Sequence, residues 1–405
     1  MSELSCKKVV ASGARTTLLM LEERCFGYLN ADDQDDPTDY FGTIKRLELT
    51  GESVINEIGT LQSAALTPFR GIQRRVQGTS AVGGDINVEL ANNGYGWLIT
   101  QAIGKLIGAG TSDDPYTILP VDENGVASDG TAGYQQNSDL YESDEIQYAN
   151  SDCAGYNCGY YEIDEYGMEP GFTLFISRDG GTIKGLNDTK ATNHWWFQYR
   201  GCKVNTWSIT AAPTEIATST FGVLGRDENI VDRSITASDY TERPAVNDPL
   251  TGFNGAVSID DDTDDCMLNF EMTLNNNLGT DQFCMGDRYR NSLPEGSKTI
   301  EGTITLELES LKFYNKYRNG TSATLEVEFD LLGDGTETMK LIFPKIEYNG
   351  TTPTAGGPEP INQELPFIAL WDTSPDDSIL VKGATAYAPN GFDLAIEIVT
   401  AGTLV

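Results

Sequence analysis

The stretch ATLEVEFDLLGDGTETMKLIFPKI, residues 323–346, alternates between apolar and acidic side chains. Leu325, Val327 and Phe329 fall on one side, and Glu326, Glu328 and Asp330 on the other. A period of two is the signature of a half-buried strand. Asp334-Gly335 then reads as a two-residue hairpin turn between flanking apolar strands. Working outward, TIEGTITLELESL (299–311) sets Ile304, Leu306 and Leu308 against Glu301, Glu307 and Glu309. GDINVEL (84–90) sets Ile86, Val88 and Leu90 against Asp85, Asn87 and Glu89. FTLFISRDGG, WWFQYRGCKVNTWSIT, EIATSTFGVLGRDE and MLNFEMTLNNN add further strands, with Asp179-Gly180-Gly181 as a second hairpin signal. One helix is expected near residues 93–107, where Trp97, Leu98, Ala102 and Leu106 recur at helical spacing. Asn92 or Asn93 is its candidate cap, and Gly108 or Gly110 its stop. The fold class is mainly β: a sandwich with one flanking helix and no fixed-period repeat.

Composition divides the chain. Residues 1–45 are polar and irregular and read as an arm or loop. Residues 46–110 and 170–345 hold the β core. No Lys, Arg or His occurs from Leu106 through Ser177, a window with fourteen Asp and Glu and frequent Tyr. Residues 111–169 therefore read as an acidic, Tyr-rich insertion. Residues 346–405 read as a Pro- and Gly-rich arm that ends in the strand DLAIEIV.

Sixty-one acidic and 27 basic side chains give a formal net charge of −34. Phosphate-gripping proteins need a basic stripe, and this chain has none on a large scale. Its one local basic island is Arg70, Arg74 and Arg75. Seven dispersed cysteines do not form a secreted disulfide framework. The N-terminal MSELSCKKVV lacks a signal-peptide layout, and no apolar run approaches the ~18 residues of a membrane span, so synthesis in the cytoplasm is expected.

Catalytic chemistry has little to stand on. His194 is the single histidine, beside Trp195 and Trp196, and no GxSxG elbow accompanies it. No phosphate-cradling glycine motif follows a strand. CAGYNC (153–158) has the wrong spacing for a redox or zinc pair. VDENGVASDG and SIDDDTDDC offer oxygen ligands, but neither fits a twelve-residue calcium loop, and solvated charge is the expectation. No catalytic, cofactor-binding or metal-binding residue is assigned, and the chain is expected not to be an enzyme.

Four segments carry a family resemblance. They are RRVQGTSAVGGDINVELANNGYGWLITQAIG, FQYRGCKVNTWSITAAPTEIATSTFGVLGRDE, LNNNLGTDQFCMGDRYRNSLPEGSKTIEGTITLELES and PEPINQELPFIALWD. In this order, from about residue 43 to 400 and excluding 111–169, they resemble tail tube proteins of long-tailed bacteriophages. The resemblance implies a β-sandwich or half-barrel with a flanking helix. It implies six copies per ring, rings stacked head to tail, and a hollow, commonly acidic lumen for DNA. It implies a virion location, and tape measure, tail tip and tail terminator proteins as partners. The insertion would then decorate the exterior. The lumen-facing set is expected among Asp85, Glu89, Glu301, Glu307, Glu309, Glu326, Glu328 and Asp330. Arg70, Arg74 and Arg75 are expected to meet acids of a neighbouring subunit. The alternative is a carbohydrate- or surface-binding β-sandwich, with the Tyr-rich insertion as its binding face.

Overall fold

Trp195–Ala211 is a single long strand, and two sheets are built on it. The computed structural model describes residues 16–23, 26, 45–63, 74–107, 116–120, 171–178, 195–232, 248–260, 262, 267–333, 335–350, 352–353, 357, 360–372 and 392–400. In chain order the elements are β1 (Thr17–Glu22), β2 (Lys45–Leu47), β3 (Gly51–Glu52), β4 (Ile55–Gln62), β5 (Arg75–Glu89), α1 (Gly96–Ile103), β6 (Gly104–Ile107), β7 (Tyr116–Pro120), β8 (Phe172–Ser177), β9 (Trp195–Ala211) and β10 (Thr218–Gly225). Then come β11 (Asp227–Asp232), β12 (Gly255–Ile259), β13 (Met267–Asn275), β14 (Thr299–Glu307), α2 (Lys312–Asn319), β15 (Ala323–Asp330), β16 (Thr338–Tyr348), β17 (Asn362–Ala369) and β18 (Ala395–Val399).

The smaller sheet runs β2–β1–β8–β9–β11 and uses the first part of β9. The larger runs β5–β10–β9–β13–β14–β17–β16 and uses the second part. β3 and β4 pair with the free side of β5. β15 and then β12 extend one side of β16, while β18, β7 and β6 extend the other. Every pairing among the described strands is antiparallel. Leu18, Met20, Leu174 and Ile176 of the smaller sheet share one buried cluster with Ile86, Trp207, Phe270, Ile304 and Leu365 of the larger. That shared core makes the two sheets a sandwich.

β9 changes sheets at Gly201, whose φ of 62° is in the left-handed region. A side chain there would bring Cβ within 2.8 Å of Arg226 Cβ. The corner is held by buried polar groups. Glu23 Oε1 accepts from Gly201 N at 2.7 Å and from Thr173 Oγ1 at 2.5 Å. Arg200 donates to both oxygens of Asp227 at 2.8 Å.

Several sequence boundaries move. Thr17–Glu22, expected in an N-terminal arm, is a paired strand beside β8. Leu19, Leu21 and Phe175 pack with Trp196 and Val231 on the far side of that sheet, so it is buried on both faces. This explains why TLLMLE and FTLFIS do not alternate. Tyr116–Pro120, within the expected insertion, is β7 and pairs with β6 and β18. Asn362–Ala369, within the expected C-terminal arm, lies between β14 and β16. The terminal strand reading of DLAIEIV agrees with β18.

The helix is shorter than residues 93–107. α1 ends at Ile103, and Gly104 (φ 156°) turns the chain into β6. Neither Asn92 nor Asn93 caps it; Tyr95 holds that position without a side-chain cap bond. A second helix, α2, was not expected. It buries Phe313 against Tyr348 at 6.2 Å between ring centroids and ends on Gly320 at φ 62°. The two-residue hairpin turn expected at Asp334-Gly335 is not what joins β15 to β16, because their last pair is Asp330 with Thr338. The Asp330 carboxylate accepts from Gly333 N at 2.8 Å and Gly335 N at 3.0 Å. An acid able to organise its own longer loop displaced the shorter turn. Residues 121–170, the Asp179-Gly180-Gly181 turn, His194, Cys153 and Cys158 lie outside the described residues.

Candidate functional site

Six adjacent strands, β5, β10, β9, β13, β14 and β17, share one outer face. Their alternate residues Ile86, Val88, Phe221, Trp207, Ile209, Met272, Leu274, Ile304 and Phe367 point into the core. The remaining positions must point away from it. Register places them in rows. One row reads Glu89, Thr218, Thr210, Glu271, Thr303 and Pro366. The next reads Asn87, Thr220, Ser208, Thr273, Glu301 and Ile368. A third reads Asp85, Gly222, Thr206, Asn275 and Thr299. Thr305 stands beside Glu364, and Glu307 beside Asn362.

The composition of this face is one-sided. Its carboxylates are Asp85, Glu89, Glu271, Glu301, Glu307 and Glu364, and no position named above is Lys, Arg or His. Hydroxyl and amide side chains fill most of the rest. Thr220 Oγ1 donates to Asn87 Oδ1 at 2.9 Å, and Asn269 Nδ2 donates to Glu271 Oε1 at 2.9 Å. The acids are dispersed. Glu89 and Glu271 are three strand spacings apart, roughly 14 Å. At that separation two unit charges interact by about 0.3 kcal/mol in water before screening, below thermal energy.

Four of the acids singled out from the sequence, Asp85, Glu89, Glu301 and Glu307, therefore lie on this face. The other four do not join them. Glu309 follows β14 in the connection to α2. Glu326 and Glu328 lie on β15 around Lys340: Glu326 is paired with it at 2.7 Å, and Glu328 is its cross-strand neighbour. Asp330 organises the loop after β15. Glu271 and Glu364 were missed. NFEMTLN and NQELPFIA both alternate, so period two alone could have found them. Arg74 and Arg75 are exposed at the start of β5, where Arg75 pairs with Gln62 of β4; Arg70 lies outside the described residues. Among the described residues no group of three or more His, Cys, Asp or Glu could hold a metal ion.

The smaller sheet is tied to this platform by Arg178. Its Nε and Nη2 donate to Glu52 Oε1 and Oε2 at 2.8 and 3.0 Å, and its guanidinium lies 4.9 Å from the Phe197 ring centre. The hydrogen bond to Glu52 raises the Arg178 pKa. Burial pushes the neighbouring Tyr199 phenol up to about 12 and the Cys202 thiol well above its ordinary value.

A continuous antiparallel platform whose named outward positions carry no Lys, Arg or His suits a surface that contacts without gripping. The sequence pattern of the phage tail tube protein family matches residues 13–369. The chain belongs to that family. No curated protein matches it. As a tail tube protein it is a structural component of a phage tail, a role that calls for self-assembly and no catalytic centre. The mainly β fold agrees with the expectation drawn from the four resembling segments. No described helix of this tail tube protein is long and apolar enough to cross a membrane.

Proposed function

We propose that six copies of this chain close into a ring with the β5–β10–β9–β13–β14–β17 face turned inward, and that the rings stack head to tail into a hollow tube. Closure gives each exposed sheet edge a neighbour and so removes a liability of open sheets. DNA passes along the bore. One observation carries the reading: the register positions named on six neighbouring strands present six carboxylates, many hydroxyls and no Lys, Arg or His. A phosphate backbone gains affinity chiefly by displacing its counterions onto Lys and Arg. A wall without either gives passing DNA nothing to hold. The scattered acids add weak repulsion that opposes sticking without blocking transit. Tape measure, tail tip and tail terminator proteins are the partners such a tube needs at its bore and ends.

Negative-stain electron microscopy of the purified chain over a concentration series tests this. Hollow filaments of stacked six-fold rings are expected. Solid fibres, or rings whose inner wall is not this face in a reconstruction, would refute it.

A further inference from the structure

The long connection between β13 and β14 folds back on itself over residues 282–291. Phe283 bridges Arg290, Asn291 N donates to Gln282 O at 3.0 Å, and Asp287 N closes the turn on Cys284 O at 3.2 Å. The base of this fold-back is fixed to the body. Arg290 is buried, and its guanidinium donates to Thr280 O at 3.1 Å, Val82 O at 3.3 Å and Gly225 O at 3.1 Å. Arg226 Nε donates to Arg290 O at 3.1 Å. Ser80 N donates to Arg288 O at 2.8 Å, so the segment lies along β5 where β10 leaves it at Val82. Its tip is open to water: Cys284, Met285 and Gly286 are exposed, Met285 fully.

Arg288 stands between the fixed base and the open tip. Its guanidinium edge of Nε and Nη2 can be compared with the same edge on two other arginines. On Arg178 that edge donates to both oxygens of Glu52 at 2.8 and 3.0 Å. On Arg200 it donates to both oxygens of Asp227 at 2.8 Å. On Arg288 the two nitrogens are shielded from solvent and meet no acceptor. The adjacent acid, Asp287, is engaged elsewhere: Oδ1 accepts from Tyr289 N at 3.0 Å, and Oδ2 lies 3.8 Å from Arg226 Nη2. The Tyr289 ring centre, 5.7 Å from the guanidinium carbon, supplies no anion. A buried charged donor without a partner is costly, and a planar carboxylate is the group that matches this edge.

We infer that Arg288 is a carboxylate-binding site completed by a second copy of this chain. An Asp or Glu of that copy accepts from Nε and Nη2, and Met285 is covered in the same contact. Charge complementarity selects the occupant: with 61 acids against 27 bases, a carboxylate is the charged group another copy most readily offers. The Arg288 side chain is partly exposed, so rotation about its own bonds turns the edge towards a partner. The unmet edge then disfavours the isolated chain and favours the assembled one. The inference rests on the tube reading, which supplies the second copy.

The full chain and the variants R288M and M285S test this, by thermal melting below the assembly concentration and by sedimentation over a concentration series. R288M is expected to melt about 1–2 °C higher, because no unmet charge remains inside the subunit. It should nevertheless need a roughly tenfold or greater concentration to assemble, because the carboxylate of the second copy loses its partner. A purely structural role for Arg288 would move both readouts the same way. M285S, at a fully exposed position, should melt like the wild type and assemble only at higher concentration. If R288M melts no higher than the wild type, or if either variant assembles at the wild-type concentration, the inference is overturned while the tube reading stands. If the wild type forms neither rings nor filaments, both fall.

Discussion

Glu271 on β13 and Glu301 on β14 stand at opposite corners of a square whose other corners are Thr273 and Thr303. Directly opposed like charges destabilise a strand pair, and diagonal ones are farther apart. The arrangement keeps two carboxylates on one patch at low cost.

Filling a third corner with charge removes that advantage. Thr303→Glu sets a carboxylate directly across from Glu271. It should lower stability by roughly 0.5 kcal/mol at low ionic strength and by less in molar salt. Urea unfolding at two salt concentrations checks this, and a salt-independent loss would point to packing instead.

Reversing charge on the same face should make it adhesive. E89K/E271K/E301K subunits, once assembled, are expected to retain linear DNA in cosedimentation, with an affinity that falls steeply as salt rises. Wild-type assemblies should retain none. Equal behaviour of the two would count against an inward-facing wall.

Gly302 lies between Phe367 and the β13 backbone, and a Cβ there would come within 2.4 Å of the Phe367 ring and 2.6 Å of Glu271 O. Gly302→Ala should cost about 2–3 kcal/mol through overpacking. Added Phe367→Leu should recover part of the loss in thermal unfolding, because only one of the two clashes is with a side chain.

Arg178→Met strands the Glu52 carboxylate, and a loss of about 3 kcal/mol is expected. The double change Arg178→Met with Glu52→Leu should recover most of it. A double variant as unstable as the single would mean that the ring contacts of Arg178, and not the ion pair, hold the two sheets.

Alkaline pH should loosen the sandwich. Tyr199 ionises near 10 when unfolded and near 12 when folded, because burial favours its neutral form. Between those values the folded state holds the extra proton. The contribution is therefore complete below pH 10 and is lost as pH rises towards 12. Cys202, pushed the same way by burial, adds to the slope at lower pH. Tyr199→Phe should flatten the upper part of a melting-temperature profile from pH 9 to 12.

The strands most legible in the sequence are those with one wet face, such as GDINVEL and TIEGTIT, where alternation reports burial directly. Thr17–Glu22 and Phe172–Ser177 are covered on both sides, so their residues read as plain apolar runs without a period. α2 carries no readable apolar stripe, because Phe313 is its single buried residue and its remaining positions are Lys, Arg, Asn and Tyr. Half of the candidate acids landed on the shared face for the same reason that strands were found. The others failed because period two fixes which side of its own strand a residue takes, but not which strands stand next to each other. That Glu326 would meet Lys340 depends on a cross-strand register no local pattern contains.

The passage of β9 through both sheets bears on how a tail withstands load. Two layers joined only by side-chain packing can slip past each other when a tube bends or when its contents move under pressure. Here a continuous backbone crosses from layer to layer at Gly201 and is clamped there by Glu23. Shear between the layers must stretch covalent bonds and pull apart strand pairings on both sides of the corner together. The subunit can then be stiff in flexure without any added cross-link between its layers.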